Sequence, residues 1–93
     1  MIKKSGKGIE EIRSLLGNER LLIGTSEIIK SLRDNKLDTV YASSNCNETT
    51  FKDLERYCKL SGTELIKLSI PNDELGIICK KPFSIAVLGI KKQ

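Results

Sequence analysis

Residues 20–36 read "RLLIGTSEIIKSLRDNK" and contain the change of pattern that decides the fold. The short apolar run "RLLIG" predicts a buried strand that ends at Gly24. From Ser26 to Asn35 the spacing of Ile28 and Leu32 predicts a helix with one apolar face. A buried strand that leads through a glycine into an amphipathic helix indicates an α/β fold.

The rest of the chain repeats this alternation. Helices are predicted over "KGIEEIRSLLG" (7–17), Thr49–Ser61 and "NDELGIICK" (72–80), and strands over "DTVYA" (38–42), "TELIKLSI" (63–70) and "SIAVLGI" (84–90). Strands that alternate with helices at this spacing favour a single sheet covered on both sides. The expected fold is a three-layer α/β/α sandwich with a mixed sheet of about four strands. With 93 residues, we expect 1–93 to form a single domain.

Composition limits the function classes. The chain has 16 Lys and Arg against 12 Asp and Glu, a net charge of +4 that favours polyanionic partners. Its apolar runs are far shorter than the roughly 20 residues that cross a bilayer. The basic N-terminus is not followed by the apolar stretch of a secretory signal. We therefore expect a cytoplasmic protein.

The cysteines do not indicate a metal centre or a disulfide framework. Cys46, Cys58 and Cys79 are an odd number without close spacing, and the chain has no histidine. Cys58 and Cys79 are expected to be buried as small apolar side chains. Cys46 lies in a polar loop before a helix and is the one conceivable nucleophile, but no histidine is present to act as its base. Without a phosphate-loop or hydrolase motif either, we expect a binding protein, with no cofactor and no metal, rather than an enzyme.

Polar, turn-forming residues follow three predicted strands, at Gly24–Glu27, Ser43–Asn47 and Pro71–Asp73. Ligands of α/β proteins bind at the carboxyl ends of strands, where helix N-termini present unpaired N–H groups. This edge is the expected binding site.

Two interpretations apply to the first of these segments. Thr25 and Ser26 are suited to cap the helix, and Glu27 and Lys30 can form an ion pair at i, i+3. Alternatively, Glu27 and Lys30 offer an acceptor and a donor side by side to a ligand. The residues alone favour capping and the ion pair.

A second cluster, "CKKPFS", precedes the last strand and contains Lys80, Lys81, Pro82 and Phe83. Two lysines beside a stiff turn suit phosphates, and Pro82 or Phe83 suits packing on a splayed RNA base. The alternative is a solvated lysine pair with Phe83 in the core, which is the interpretation favoured for Phe83 taken alone.

Together these segments resemble the ribosomal proteins of the L7Ae and L30e group, which bind kink-turn RNA. That family carries a strand, a glycine, a polar pair and a lysine three residues after a glutamate. The matching residues here are Gly24, Thr25, Ser26, Glu27 and Lys30, with the basic Lys36 after the helix. Many relatives have Asn where Ser26 stands, and a glycine where Lys80 stands.

Two later segments extend the resemblance from about Arg20 to Ile90. Leu54–Tyr57 is similar to a Leu-Glu-x-Tyr segment of the L30e branch. Leu75, Gly76, Lys81 and Val87 match the closing pattern of the family, in which Leu-Gly opens a helix and a lysine-bearing turn leads to a valine-rich strand.

The resemblance implies a ribosome-associated, large-subunit protein that binds a kink-turn of ribosomal RNA. It implies that the start of the second predicted helix and the loop before the last strand lie side by side. The implied RNA-binding residues are Gly24, Thr25, Ser26, Glu27, Lys30, Arg33, Lys36, Lys80, Lys81, Pro82 and Phe83. The implied partners are kink-turn RNA and other proteins of a ribonucleoprotein. A component of a small-RNA modification particle, a protein-interaction scaffold of the same fold and a thiol enzyme using Cys46 are the alternatives.

Overall fold

The structure, a computed structural model, describes residues 2–4, 12–14 and 20–92. Its strands are β1 (Ile2–Lys4), β2 (Leu21–Ile23), β3 (Leu37–Ala42), β4 (Glu64–Lys67) and β5 (Val87–Lys91). Its helices are α1 (Thr25–Arg33), α2 (Glu48–Ser61) and α3 (Asn72–Ile78). Residues 12–14 form a further piece of helix inside the predicted helix 7–17, whose other residues lie outside the described ranges.

All five strands belong to one mixed sheet in the order β1-β4-β3-β5-β2. β1 and β3 run parallel to β4, whereas β5 pairs antiparallel with both β3 and β2. The predicted fold class is confirmed, with one strand more than the four expected. The additional strand is β1, whose three residues are too few to show an alternating pattern.

The sheet separates two apolar cores. α1 and α2 cover one face through Ile28 and Cys58, among others, and α3 covers the other face through Leu75. Along β3, Val40 belongs to the first core and the adjacent Tyr41 to the second. Side chains that alternate in this way bury both faces of the strand, which is why "DTVYA" contains a continuous apolar run.

Both cysteines that were expected in the core are there. Cys58 packs in the core beneath α1 and α2, and Cys79 packs in the core beneath α3. None of the described helices is long and apolar enough to pass through a lipid bilayer.

The strand directions bring four connections to one edge of the sheet. β2, β3 and β4 run the same way, so the residues after Ile23, Ala42 and Lys67 lie along the same edge. β5 runs the opposite way and therefore begins at this edge, where Val87 pairs with Ala42. We call it the upper edge.

Candidate nucleic-acid interface

Gly24 joins the start of α1 to the start of β5. Its N–H donates to the carbonyl of Val87 at 3.3 Å. Gly24 is also the N-cap of α1 and has a φ of 113°, a region that residues with a β-carbon rarely adopt. The glycine in "RLLIGTSE" therefore lets the chain leave the sheet and enter the helix within one residue.

The hydroxyls of Thr25 and Ser26 do not cap α1, so the capping interpretation is wrong. Both residues lie inside the first turn, and Gly24 provides no side-chain cap. Within the described ranges, the backbone N–H groups of Thr25, Ser26 and Glu27 have no protein acceptor. An uncapped helix start of this kind can donate hydrogen bonds to an anion.

Glu27 and Lys30 are both exposed and do not pair with each other. Among the described residues the ion pairs are Glu48 with Lys52 and Asp53 with Arg56, both on α2. The expected i, i+3 ion pair is therefore absent from α1. The Glu27 carboxylate and the Lys30 ammonium are left available to a ligand.

The loop 80–86 begins at the C-terminal end of α3. The N–H of Lys80 donates to Ile77 and the N–H of Lys81 to Gly76, both at 3.0 Å. Lys80 has a φ of 57°, in the left-handed region that favours glycine. Both lysine side chains are exposed.

Pro82 and Phe83 are exposed in the middle of this loop. The Phe83 side chain is 55% exposed, so the interpretation that placed it in the core is wrong. It is the backbone of Phe83 that packs against the protein, because its carbonyl lies against Gly76 of α3. An aromatic ring with this exposure contributes little to the core and is free to meet a ligand.

The end of the loop is tied to the upper edge. Ile85 donates from its N–H to the carbonyl of Asn72 at 3.0 Å, and the carbonyl of Ala86 accepts from Ser43 at 2.8 Å. The loop therefore crosses from the face of α3 to the edge where α1 begins. Only its last residues are held beside Gly24, whereas Lys80 and Lys81 lie at the far end of α3, about 10 Å along the helix from Asn72.

Asn45 organises this edge; it lies in the predicted segment Ser43–Asn47, but it was not among the residues assigned to RNA binding. Its Oδ1 accepts from Ser43 Oγ at 3.1 Å and from the backbone N–H of Asn72 at 2.9 Å, and its Nδ2 donates to Asn72 Oδ1 at 3.1 Å. α3 has no cap from its own N-cap residue, Pro71, so Asn45 supplies one from another loop. In the sequence, this role of Asn45 is indicated only by the polar break "SSNCNE".

Arg33 and Lys36 lie away from the helix start. Arg33 is in the last turn of α1, and its Nη2 donates to the hydroxyl of Tyr57 on α2 at 3.3 Å. Lys36 directly precedes β3, and its carbonyl accepts from Lys92 after the end of β5. It therefore lies at the opposite end of the strands, which we call the lower edge, so the structure does not bring Lys36 together with Gly24.

Cys46 is partly buried beside the upper edge. Burial raises the pKa of its thiol, and this effect outweighs the opposing charge of Lys67. The protonated thiol is a poor nucleophile at neutral pH. The environment of Cys46 therefore argues against a thiol enzyme.

Residues 7–93 match the model of the ribosomal protein L7Ae/L30e/S12e/Gadd45 family. The chain belongs to this family. The resemblance inferred from its motifs is thereby confirmed, and a family of ribosomal proteins agrees with the expectation of a binding protein rather than an enzyme.

Similar curated proteins are named large ribosomal subunit protein eL30. The protein from Candida albicans is 33% identical over 94 residues, which cover 97% of this chain and 89% of that protein. The protein from Sulfolobus acidocaldarius is 30% identical over 80 residues, with 86% and 77% covered. These relatives agree with the expected L30e branch.

Two solved structures share the fold at lower identity. A Bacillus halodurans protein of unknown function superposes with a TM-score of 0.81 at 22% identity, covering 95% of this chain and 87% of that one. The Giardia lamblia 15.5kD RNA binding protein superposes with a TM-score of 0.78 at 16% identity, covering 94% and 72%.

Proposed function

We propose that the chain is an RNA-binding protein of the large ribosomal subunit that recognises a kink-turn. In this role it is cytoplasmic and ribosome-associated, and its partner is ribosomal RNA. Membership of the L7Ae/L30e family and the eL30 relatives support the ribosomal assignment. The positive net charge supports a polyanionic partner.

The chemistry of the helix start supports recognition of a bent RNA. A kink-turn contains sheared G·A pairs, which expose guanine edges that a regular A-form helix hides. The Glu27 carboxylate only accepts hydrogen bonds and suits guanine N–H donors. Lys30 suits a guanine carbonyl or a phosphate, and the free N–H groups of Thr25 and Ser26 suit a phosphate.

The loop 80–86 would complete the interface. The exposed Phe83 ring can stack on a base that has left the helix, while Lys80 and Lys81 neutralise phosphates without reading sequence. The observation that carries the proposal is the hydrogen bond from Gly24 to Val87. It joins the uncapped start of α1 to the end of the loop that bears Phe83.

A substitution at Glu27 tests base recognition. Glu27→Gln should weaken binding to a kink-turn RNA by about 1–3 kcal/mol, because a charged acceptor for guanine is lost, and should leave binding to a plain duplex unchanged. Asp38→Asn is the matched control, since it removes one exposed carboxylate at the lower edge. Equal effects of Glu27→Gln on both RNAs would exclude a role in reading bases.

The contribution of Lys81 is measured by salt dependence. Lys81→Gln should weaken binding to all RNAs alike and make the slope of log affinity against log salt shallower by about one. A slope equal to that of the unsubstituted protein would place this lysine outside the interface.

The identity of the bound RNA separates the related functions. RNA crosslinked to the protein in cells and then sequenced should be ribosomal. Small guide RNAs would instead indicate a modification particle. If the protein shows no salt-dependent RNA binding at micromolar concentration, the protein-interaction scaffold is favoured.

A further inference from the structure

Two arginines flank one tyrosine where α1 packs beside α2. The guanidinium carbon of Arg33 lies 5.6 Å from the centroid of the Tyr57 ring, and that of Arg56 lies 5.2 Å from it. Distances of this size are typical of cation–π contacts. We call Arg33, Arg56 and Tyr57 the Arg–Tyr–Arg cluster.

The cluster presents several hydrogen-bond donors in a defined geometry. The Tyr57 hydroxyl accepts from Arg33 at 3.3 Å, which leaves its own proton to be donated elsewhere. This hydrogen bond and the charge of Arg33, followed by smaller effects of Arg56, lower the pKa of Tyr57 and make its hydroxyl a stronger donor. Each guanidinium has five N–H groups, and the contacts with Tyr57 and Asp53 use few of them.

A planar guanidinium held on a ring suits a phosphate better than a mobile ammonium does. Its fork can bind two oxygens of one phosphate, and little rotamer freedom remains to be lost when the anion arrives. Asp53 already pairs with Arg56 at 3.3 Å, whereas the Arg33 guanidinium has no carboxylate partner among the described residues, so an added anion is most favourable beside Arg33. Both arginines are exposed, which leaves the cluster open to a partner.

The cluster continues the candidate interface along α1. Ser26, Lys30 and Arg33 follow one another at spacings of four and three, so they share one stripe of the helix. Arg33 is six residues after Glu27, a rise of about 9 Å, or roughly three base-pair steps of a duplex. RNA seated on the start of α1 therefore has the cluster within reach of one of its helical arms.

We propose that the Arg–Tyr–Arg cluster is a second RNA anchor, which binds backbone phosphates of a duplex arm that leaves the bend. This proposal rests on the proposed kink-turn function. The cluster lies on the same stripe of α1 as Lys30, so one nucleic acid can contact both. This favours a nucleic acid over an acidic protein segment as the partner. The anchor would add affinity and orientation without reading sequence.

RNA length provides the test. Three RNAs share the same kink-turn: one has two arms of about four base pairs, and in each of the other two a different arm is extended to about ten base pairs. The unsubstituted protein should bind one of the extended RNAs more tightly than the short RNA. We expect this gain in affinity to be about tenfold at low salt and to be lost in the double variant Arg33→Gln, Arg56→Gln. The slope of log affinity against log salt should also become shallower by about one to two.

Matched variants separate the anchor from general charge and from folding. Lys52→Gln removes an exposed cation of α2 that lies outside the Arg–Tyr–Arg cluster, and it should preserve the gain from arm length. Tyr57→Phe keeps the ring but removes the hydroxyl donor, and it should lower affinity for the extended RNA about threefold. Unchanged affinity of the double variant for the short RNA shows that the fold and the bend-binding site are intact.

The outcomes distinguish the two proposals. If the double variant binds both RNAs as the unsubstituted protein does, or loses affinity for both equally, the second anchor is wrong while the kink-turn function stands. A protein that does not prefer the kink-turn RNA to a plain duplex overturns the proposed function itself. A gain from arm length that survives in all variants also excludes the cluster.

Discussion

The carbonyl oxygen of Phe83 occupies the space that a β-carbon on Gly76 would need. From that β-carbon position the carbonyl carbon of Phe83 is 3.1 Å away and Cα of Ser84 is 3.3 Å away. The loop before β5 thus lies directly on the backbone of α3. A glycine inside a helix lowers stability by about 1 kcal/mol relative to alanine. Here the close approach of the loop explains why glycine occupies this position.

Replacing this glycine should displace the loop. Gly76→Ala forces backbone against a new methyl group, so the free energy of unfolding should fall by about 1–3 kcal/mol despite the better helix propensity. RNA affinity should fall as well, because the position of Phe83 changes. Urea unfolding and RNA titration measure the two effects.

Gly62→Ala is the control for this substitution. Gly62 ends α2 with a φ of 72° and has nothing within 4 Å of its β-carbon position. The variant should lose about 1 kcal/mol through backbone strain and keep its RNA affinity. Stabilisation by Gly76→Ala would contradict the close approach.

Lys80 holds a backbone conformation that favours glycine. Its φ of 57° strains a residue with a β-carbon, so Lys80→Gly should raise the free energy of unfolding by about 0.5–1 kcal/mol. If the lysine neutralises a phosphate, affinity for RNA falls at the same time. Thermal unfolding and the salt dependence of binding separate these opposite effects.

Asn35→Gly is the control for this substitution. Asn35 has a φ of 55°, and its replacement should raise the free energy of unfolding less, because asparagine tolerates this region. An equal gain in stability would contradict strain at Lys80.

The amide of Asn45 should matter for binding as well as for stability. Asn45→Ala removes the cap on Asn72 and releases the segment that holds the loop through Ile85, at a cost of about 1 kcal/mol. RNA affinity should fall with it. Asn47→Ala removes the cap of α2, where Asn47 accepts from Thr49 at 2.9 Å, and should cost a similar free energy while sparing RNA affinity. Equal RNA affinities of the two variants would show that Asn45 does not position the interface.

Alkaline pH should reveal the burial of Cys58. Burial raises the pKa of this thiol to about 11, whereas the thiol of the unfolded chain titrates near 8.5. The folded state therefore holds its proton more tightly, and this contribution is complete below the unfolded pKa and lost as pH rises through about 11. The loss should be on the order of 3 kcal/mol across that window. Urea unfolding from pH 8 to 11 measures it; in Cys58→Ala the dependence should weaken, and an identical dependence would assign it to other groups.

Local pattern was sufficient for most of the fold. The periodicity of Ile28 and Leu32 and the terminating Gly62 fixed α1 and the end of α2, because the spacing of apolar side chains and left-handed turns act within a few residues. The run "DTVYA" predicted the strand β3, and the structure adds that both of its faces are buried. β1 was missed, since three residues acquire strand structure only through pairing with β4.

The candidate site shows where local pattern stops being informative. The sequence identified Glu27 and Lys30 as an acceptor and a donor, and the segment from Lys80 to Phe83 as two lysines beside a stiff turn with an aromatic residue. It could not decide that Glu27 and Lys30 stay unpaired or that Phe83 faces solvent, since both depend on side chains and backbone packed from elsewhere in the chain. The pairing of Asn45 with Asn72 was not predicted, although both segments were placed at this edge, because the two residues are 27 apart in the sequence.

The sequence by itself determined the family, the layered fold and the residue types available to meet RNA. Only the tertiary structure decided which of them share an edge: Gly24 meets Val87 there, while Lys36 lies at the opposite one. The physical reason is strand direction. β5 pairs antiparallel with β3 and β2, so β5 begins at the edge where those two strands end. No local preference of the residues involved specifies this pairing.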